Sequence, residues 1–389
     1  MDPVSGAAHS VRTILETLGA AGFSASAFTA SLFDSNDEVD FGALLGKAVG
    51  QPDAQGKIAR IQRSGVEHLV FMTASSRGPK MTSDEQRAMM QKWQQNLARI
   101  KPDIIISYGT SQLSRSMQEA ARKAGAKIVF YLGNAEIKDT DFVRPGDRGV
   151  SPSSHLARHY AERLGIETEV LNPVINPVRL VPEGAGIASH ATTRRLGFVT
   201  FINPLPHKGL TMVARLIGRA IHDRPDMRFL ILEGRMPRRL LQELKIDLPA
   251  LRNVWWLPEQ KDMAAVYART TVLLVPSFWS EGFGRSVVEA QLSGIPVLAS
   301  DRGGLPEALG EGPQALSISQ RCIDNHYAFP DAETVDVWWS ALTRLWDDDT
   351  AYAHASQLAK QAAARYAPKT TRERVITHFQ SIAGIATRA

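Results

Sequence analysis

Apolar runs of strand length alternate with amphipathic helical patterns along the first half of the chain. Strands are predicted at residues 68–73, 103–107, 127–131 and 147–151. Helices with apolar residues three or four positions apart fit between them, at residues 84–100 and 112–124. Because strand-sized runs and helical patterns follow one another in this way, the first half predicts parallel βαβ units.

The second half repeats this alternation. Strands are predicted at residues 196–201, 227–232, 271–275 and 296–299, and helices at residues 209–221, 260–268 and 284–292. From residue 331 the pattern is helical to the end of the chain, where Trp338, Trp339 and Trp346 are expected to pack in the core or between domains. The second half therefore predicts another parallel sheet, followed by a helical end.

Two Asn-Pro pairs separate the halves. Asn172-Pro173 and Asn176-Pro177 are followed by a stretch rich in glycine and alanine up to Thr193, which predicts a linker between domains. We expect an α/β protein with two doubly wound, Rossmann-like domains facing a cleft, because ligands of such sheets bind beyond the carboxyl ends of the strands. The expected domains are residues 1–178 and 179–365, with a last helix at 366–389 packing back on the first domain.

Composition narrows the class of protein. The 389 residues are 44% hydrophobic and 22% charged, which is typical of a globular protein. The single cysteine, Cys322, excludes an internal disulfide and fits a reducing compartment. No apolar run is long enough to cross a bilayer, and the first residues lack the pattern of a secretory signal, so a cytoplasmic location is expected.

Charge leaves several anionic partners open. The net charge is +5 and the isoelectric point about 9.3. A basic surface suits a phosphorylated small molecule or peripheral contact with the inner face of a membrane, and it also fits an ordinary solvated surface. No basic stripe is interleaved with aromatic residues, so nucleic acid is not an expected partner.

The segment from residue 275 to residue 307 carries the chemistry. A buried strand is predicted to end at Pro276, and a polar loop then leads through Glu281-Gly282-Phe283-Gly284 into a helix. Glycines at a helix entry let backbone N–H groups approach a ligand, and a helix N-terminus favours an anion. Glu281 and Glu289 stand eight positions apart, so one carboxylate can meet a sugar and the other a ribose, although this spacing alone also arises in solvated helices. The turn Asp301-Arg302-Gly303-Gly304 makes the whole pattern more specific.

This segment resembles the family 4 retaining glycosyltransferases, which have the GT-B fold. The matching residues are Pro276-Ser277, Ser280-Glu281-Gly282-Phe283-Gly284, Glu289-Ala290, Gly294-Ile295-Pro296-Val297 and Gly303-Gly304-Leu305-Pro306-Glu307. The resemblance implies that Glu281 contacts donor-sugar hydroxyls and that Glu289 contacts the nucleotide ribose. Backbone amides of Gly282, Phe283 and Gly284 are expected at the sugar and the distal phosphate. Residues 1–178 would then face the acceptor, and residues 179–365 would bind the donor nucleotide.

A second turn resembles the family's phosphate-binding turn. It runs from Asn203 to Gly209 and contains Lys208, which fits the family's phosphate-neutralising lysine. The family's arginine, five residues earlier, is replaced by Asn203, which can donate a hydrogen bond but supplies no charge. Arg235, after Glu233-Gly234, is the expected replacement. Lys208 and Glu281 are the predicted catalytic residues.

The start of the chain resembles the small-residue loop that lies beneath the donor phosphates. Ser5-Gly6-Ala7-Ala8 precedes an amphipathic helix, and an ordinary helix start capped by Ser5 is the alternative interpretation. The family has a central β-strand before this loop. Almost no chain precedes it here, so apolar neighbours and strand edges are expected to be exposed. A misplaced start codon, a truncated chain and a genuine variant remain open.

Other patterns are expected to be structural. Asp139-Thr140-Asp141 matches a metal-binding pair of the GT-A fold, but it lies in a predicted loop. His155 and His159 have the spacing of zinc ligands, which an exposed helix face explains better. Asn134, after Tyr131-Leu132-Gly133, replaces a histidine that the family has near the donor sugar. No metal and no cofactor are expected.

The sequence therefore predicts a metal-independent, retaining hexosyltransferase. It would move a sugar from a nucleotide-diphosphate sugar to a glycan, a lipid-linked glycan or a small molecule, and polysaccharide biosynthesis is the common setting of the family. A catalytically silent homologue that binds nucleotide sugars is one alternative. Another GT-B enzyme, such as a nucleotide-sugar epimerase or a phosphorylase, is the second.

Overall fold

A computed structural model describes residues 6–33, 38, 40, 54–189, 195–234, 241, 247–312 and 315–384. These residues group into two compact units by their contacts. Unit 1 contains the chain as far as Pro152, Ala157–Val174, and the residues from Thr371 onward. Unit 2 contains Ser153–Leu156 and Ile175–Thr370. The sequence analysis placed the corresponding boundaries after residues 178 and 365.

The described residues of unit 1 form two sheets. The first has the order β1-β3-β2, where β1 (Ser26–Ala30) is parallel to β3 (Val66–Phe71) and β2 (Ile58–Arg63) is antiparallel to it. The second sheet is parallel, and its order is β4-β5-β6-β7, formed by Ile104–Ser107, Lys127–Tyr131, Arg148–Ser151 and Thr168–Val170.

Local sequence explains the turns and caps of unit 1. Ser64 and Gly65 both have positive φ and close a two-residue hairpin between β2 and β3, which is the geometry that matches strand twist. Thr82 and Glu85 form a reciprocal capping box at the start of α2. The helices of this part of the chain are α1 (Gly6–Ala20), α2 (Ser83–Ile100), α3 (Gln112–Lys123) and α4 (Ser154–Leu164), of which α4 has its first turn in unit 2.

Unit 2 is built on one parallel sheet of order β10-β9-β8-β11-β12. Its strands are β8 (Phe198–Ile202), β9 (Phe229–Leu232), β10 (Val254–Leu257), β11 (Thr270–Val275) and β12 (Val297–Ala299). Strand order reverses between β8 and β11. The loops that follow these two strands therefore open side by side at the carboxyl edge, where doubly wound sheets bind ligands.

Helices cover this sheet and complete its core. They are α5 (Leu210–Asp223), α6 (Met263–Ala268), α7 (Arg285–Leu292), α8 (Leu305–Leu309), α9 (Gln320–Asp324), α10 (Ala332–Asp347) and α11 (Asp349–Ala363). The prediction that Trp338, Trp339 and Trp346 belong to the core is confirmed, because all three are buried in its main cluster. Asp348 separates α10 from α11 and caps α11 by accepting hydrogen bonds from Thr350 and Ala351.

The last helix, α12 (Pro368–Ala383), packs within unit 1. Val375, Phe379 and Ile382 lie in one cluster with residues of α1 and β5. Lys127 Nζ also donates to the carbonyl of Ile382 at 2.6 Å. No helix in the described ranges is long and apolar enough to cross a membrane.

The chain passes between the units inside the predicted linker, and part of the linker packs on unit 2. Ile175 and Ala188 are buried in the core of unit 2, and Val181 N donates to Ser293 Oγ at 3.2 Å. The chain passes from one unit to the other between Val174 and Ile175. Gly186 and Ala188 are buried, whereas Gly184 and Ala185 are exposed.

Candidate functional site

Two loops of unit 2 meet at the carboxyl ends of β8 and β11. The first runs from residue 203 to residue 209 and leads into α5, and the second runs from residue 276 to residue 284 and leads into α7. The backbone N–H groups of Phe278 and Trp279 donate to the carbonyl of His207 at 2.9 and 3.3 Å. Because β8 and β11 are neighbours, residues 71 and 72 positions apart along the chain come into contact here.

Lys208 and Glu281, the two predicted catalytic residues, form an ion pair across these loops, in which Glu281 is buried and Lys208 is half-buried. Lys208 Nζ donates to both carboxylate oxygens of Glu281, at 2.6 and 2.8 Å, and the Ser277 hydroxyl donates to the same carboxylate. The ammonium group also lies 4.9 Å from the centre of the Trp279 ring. The structure therefore holds both groups in one charge-neutral cluster at the carboxyl edge of the sheet.

The environment keeps Glu281 ionised. Burial by itself would raise the pKa of its carboxyl group, since the residue is only 9% exposed. The charge of Lys208 and the hydrogen bonds from Lys208 and Ser277 outweigh burial, so the pKa of Glu281 lies below its usual range. At neutral pH this side chain is a carboxylate that accepts hydrogen bonds and has no proton to give.

Glycines let a second turn support the loop that carries Glu281. Gly304 N donates to the Glu281 carbonyl at 2.7 Å. Gly303 has φ +63°, and a Cβ there would lie 2.3 Å from the Glu281 carbonyl oxygen. A Cβ at Gly304 would lie 2.8 Å from the Gly282 carbonyl oxygen. The turn predicted at residues 301–304 therefore requires glycine because it lies against the backbone of the loop.

The entry to α7 presents backbone rather than side chains. Gly284 has φ +119° and immediately precedes the first helical residue, Arg285. Phe283 is buried, with its ring edge-on to Tyr366 at 5.2 Å. Its side chain thus anchors the loop in the core, which leaves the backbone N–H groups of residues 282–284 for any ligand. That these amides bind a phosphate stays a prediction.

Glu289 is satisfied entirely by protein groups. The residue is 1% exposed, and its carboxylate accepts from Arg179 Nε at 2.8 Å and Arg179 Nη2 at 3.1 Å. Tyr267 Oη donates at 2.9 Å and Arg285 Nη2 at 3.3 Å. Four donors occupy the acceptor positions of a carboxylate. The predicted ribose contact would therefore require some of these bonds to be exchanged for bonds to ribose hydroxyls.

The Glu289 carboxylate raises the pKa values of two of the side chains that contact it. Burial raises the pKa of Tyr267, and the adjacent Glu289 charge raises it further. Burial would lower the pKa of Arg179, but the charges and hydrogen bonds of Glu289 and Tyr267 together outweigh burial and raise it. Sequence reasoning missed Arg179 and Tyr267. Only the spacing of Arg285 and Glu289, four apart on one helix, could have indicated part of this cluster.

Asn203 meets a backbone requirement at the end of β8. Its φ is +60°, a conformation that asparagine tolerates better than most residues. A Cβ at Gly234 would lie 2.6 Å from Asn203 Oδ1, so the side chain lies directly against the turn after β9. This local geometry favours asparagine where the family has arginine. Arg235, the expected replacement for that arginine, lies outside the described residues.

The predicted site residues of the first half come together in unit 1. Gly6 is the first residue of α1, and Ala7 packs at the edge of the core cluster there. A methyl group at Gly133 would lie 3.5 Å from Ala7 Cβ. Asn134 follows, and its carbonyl accepts a hydrogen bond from the buried Tyr160, whose pKa burial raises to about 12. Ser5 lies outside the described residues.

The start of α4 supports the loop of Glu281 from another direction. Ser153 Oγ donates to the Gly282 carbonyl at 2.6 Å, and His155 Nε2 lies 2.9 Å from Ser280 Oγ. Glu307, in the matching motif, accepts from Ser154 N at 2.7 Å. Sequence reasoning missed Ser153 and Ser154 because no motif marks them.

Two expectations about metals can be compared with this geometry. The interpretation of His155 and His159 as an exposed helix face was wrong, because both are half-buried: His155 contacts Ser280, and the His159 ring packs edge-on to Tyr160. Asp139 forms an ion pair with Arg115 at 2.9 Å. Across the described residues there is no group of three or more histidine, cysteine or acidic side chains that could hold a metal ion.

Comparison with known sequences finds that this chain is similar to glycosyltransferases. Residues 193–348 match the family described as glycosyl transferases group 1. The D-inositol 3-phosphate glycosyltransferase of Corynebacterium urealyticum is 30% identical over 281 residues, which cover 69% of this chain and 60% of that protein. The enzyme of the same name from Mycobacteroides abscessus is 37% identical over 110 residues, covering 26% and 25%. The matches thus span about 60% or less of these relatives' lengths.

Solved structures share the fold over nearly the whole chain. Sucrose-phosphate synthase from Thermosynechococcus elongatus superposes with a TM-score of 0.69 at 14% identity, covering 98% of this chain and 94% of that one. Anabaena HepE, solved with UDP and glucose, gives a TM-score of 0.68 at 16% identity, covering 98% and 97%. These likenesses show the GT-B fold. The matching family model and the curated relatives show that the chain is similar to the group 1 glycosyl transferases, the family that its sequence resembled.

Proposed function

We propose that this protein is a retaining glycosyltransferase that moves a sugar from a uridine-diphosphate sugar to a hydroxyl of an acceptor. The ion pair of Lys208 and Glu281 carries the proposal, because it places a cation and a carboxylate together at the switch point of the sheet. The names of the curated relatives support transfer. The HepE structures with UDP and UDP-glucose support a uracil nucleotide.

Donor binding would separate the roles of the two paired groups. Lys208 would turn its ammonium to the diphosphate, and Glu281 would accept hydrogen bonds from hydroxyls of the donor sugar. The N-terminus of α7 adds a partial positive charge of roughly half a unit, aimed at the same anion. Asn203 adds a donor group without charge. We infer that these groups stabilise the leaving diphosphate and that the reaction needs neither a metal nor a cofactor.

The proposed chemistry needs no protein nucleophile. The bond between the anomeric carbon and the phosphate oxygen breaks, and the acceptor oxygen bonds to the anomeric carbon on the same face, which retains the configuration. The acceptor proton passes to the leaving phosphate oxygen. Glu281 fits a supporting role in this scheme, because its lowered pKa keeps it a hydrogen-bond acceptor and makes it a poor general acid.

The roles of the two units and the setting of the reaction are part of the proposal. Unit 2 would hold the nucleotide, and unit 1 would present the acceptor. Polysaccharide or lipid-linked glycan assembly, with peripheral contact at the inner face of a membrane, is the proposed setting. The basic net charge of +5 supports such contact.

The test is transfer by purified protein with UDP-glucose and UDP-N-acetylglucosamine, offered with lipid-linked glycans, soluble glycans and D-inositol 3-phosphate. Release of UDP and labelled product are both measured. Glu281→Gln is expected to lower kcat/KM on the order of 10²-fold, because it removes a charged acceptor for the donor sugar. Glu311→Gln, the same change at an exposed position of unit 2, is the control.

Other outcomes would replace the proposal. Full activity of Glu281→Gln would remove its main support. UDP binding without transfer or donor hydrolysis would identify a silent homologue. Release of an epimerised sugar or sugar nucleotide would identify an epimerase.

A further inference from the structure

The carboxylate of Glu289 contacts two arginines although it carries only one charge. Arg179 donates to both of its oxygens, and Arg285 donates to Oε1 at 3.3 Å. Tyr267 Oη adds a fourth bond. A buried carboxylate needs a counter-charge, and either arginine alone supplies it. One of the two guanidinium groups can therefore leave without stripping Glu289 of its ionic partner.

The donors around Glu289 differ in how easily they can move. Tyr267 is 1% exposed, so its hydroxyl would lose its partner inside the core. Arg285 precedes Glu289 by four positions on α7, and the helix keeps the two side chains on one face. Arg179 ends a short 3₁₀ turn, Pro177–Arg179, and its side chain is 26% exposed. Arg179 is therefore the donor that can turn to water.

The turn that carries Arg179 lies at the surface and has a fixed backbone. Val178, the preceding residue, is 74% exposed. Arg179 N donates to the Asn176 carbonyl at 3.0 Å, and Val178 N donates to the Asn176 side chain at 3.2 Å. Departure of the guanidinium therefore requires a change of side-chain rotamer only, which is fast for an exposed side chain.

The pattern of the bonds from Arg179 indicates what could replace them. Its Nε and Nη2 reach different oxygens of the Glu289 carboxylate, at 2.8 and 3.1 Å, so the guanidinium acts as a fork with two parallel donors. The ribose of a nucleotide also presents two neighbouring donors, its 2′- and 3′-hydroxyl groups, and a carboxylate that accepts from such hydroxyls is a common ribose contact. A vicinal diol can thus replace the fork bond for bond.

We propose that Arg179 covers Glu289 and competes with the ribose of a nucleoside diphosphate for this carboxylate. The guanidinium leaves when the two ribose hydroxyls bind, while Arg285 and Tyr267 keep their bonds. The ribose then gains only the difference between the two sets of bonds, so Arg179 determines how strongly the site prefers a ribonucleotide. This inference rests on the proposed function, which supplies the nucleotide.

The experiment measures the affinities of the complete chain for UDP and for 2′,3′-dideoxy-UDP by titration calorimetry. The ratio of the two affinities reports what the ribose hydroxyls contribute. Arg179→Met is expected to raise the preference for UDP at least about fivefold, because the ribose no longer displaces bonds between charged groups. Arg219→Met, which breaks the ion pair with Asp336 in unit 2, is the control and should leave the ratio unchanged.

A second variant keeps the test decisive if Arg179→Met does not fold. Arg179→Lys retains the charge but cannot reproduce the fork, so the preference for UDP should rise in the same direction, at least about twofold.

The contrary outcomes are distinct. An unchanged ratio, with both nucleotides still bound, would overturn the inference and leave the proposed nucleotide site standing. A reduced preference for UDP would also overturn it, because Arg179 would then support the ribose contact. Binding of neither nucleotide to the unchanged protein would overturn the proposed function, and the inference with it.

Discussion

Replacing Glu289 by glutamine should lower the stability of unit 2 in the protein without any ligand. The change keeps the shape of the side chain but removes the charge that Arg179, Arg285 and Tyr267 share. Breaking a buried ion pair typically costs about 3–5 kcal/mol. The side chains of Arg179 and Arg285 are 26% and 18% exposed, so each can turn partly to water. We therefore expect a loss of about 2–3 kcal/mol in the free energy of unfolding, near the lower end of that range.

Intrinsic fluorescence can follow this loss in the complete chain, because six of the seven tryptophans belong to unit 2. A loss of this size corresponds to a fall in melting temperature of about 5–10 °C for a unit of roughly 200 residues. Glu311→Gln is the matched control and should melt as the unchanged protein does. Arg179→Met, alone and combined with Glu289→Gln, completes a double-mutant cycle, in which a coupling of at least about 1 kcal/mol is expected.

The opposite pattern would refute this reasoning. The Glu289→Gln variant could have the same melting temperature as the Glu311→Gln control while its affinity for UDP falls at least tenfold. In that case the carboxylate of Glu289 binds the ribose, and its bonds to Arg179 contribute less than that contact. A coupling near zero would show that the two residues act separately.

Three further predictions concern the loop of Glu281 and the core behind it. Because Lys208 lowers the pKa of Glu281, the ion pair contributes stability at neutral pH, and this stability is lost as pH falls through the lowered pKa. Lys208→Met should therefore destabilise the protein at pH 7. Urea unfolding should show a smaller difference in stability between the variant and the unchanged protein at pH 3. Gly303→Ala should abolish transfer and lower the free energy of unfolding by about 2–3 kcal/mol, since its Cβ would meet the Glu281 carbonyl. Gly165→Ala, at φ +64° in open space, should lower it by about 1 kcal/mol and keep activity. Equal effects of the two variants in thermal melts and transfer assays would contradict the packing argument. Burial raises the pKa of the Cys322 thiol to about 11, so iodoacetamide at pH 7.5 should label it only as unit 2 unfolds, and rapid labelling of native protein would be the contrary result.

Strands buried on both faces were predictable from the sequence alone. The runs predicted at residues 68–73, 127–131 and 271–275 overlap β3, β5 and β11, because a strand covered on both sides must be continuously apolar. The strands that sequence reasoning missed lie where burial is incomplete. β1 is half-buried throughout, β2 has exposed positions, and β10 alternates between half-buried and exposed residues. Their residues meet no uniform environment, so the apolar pattern is weak.

The candidate site likewise has features that the sequence predicts and features that depend on the tertiary structure. The sequence by itself determined which loop carries Glu281 and which turn carries Lys208, because glycines and prolines fix those turns locally, and parallel sheets place such loops at one edge. Only the tertiary structure decided the partners. Lys208 reaches Glu281 because β8 and β11 are neighbours in the sheet, and Arg179 reaches Glu289 across 110 positions of chain. Pairings of this kind depend on which elements pack together, and that depends on the burial of the whole core rather than on any local spacing.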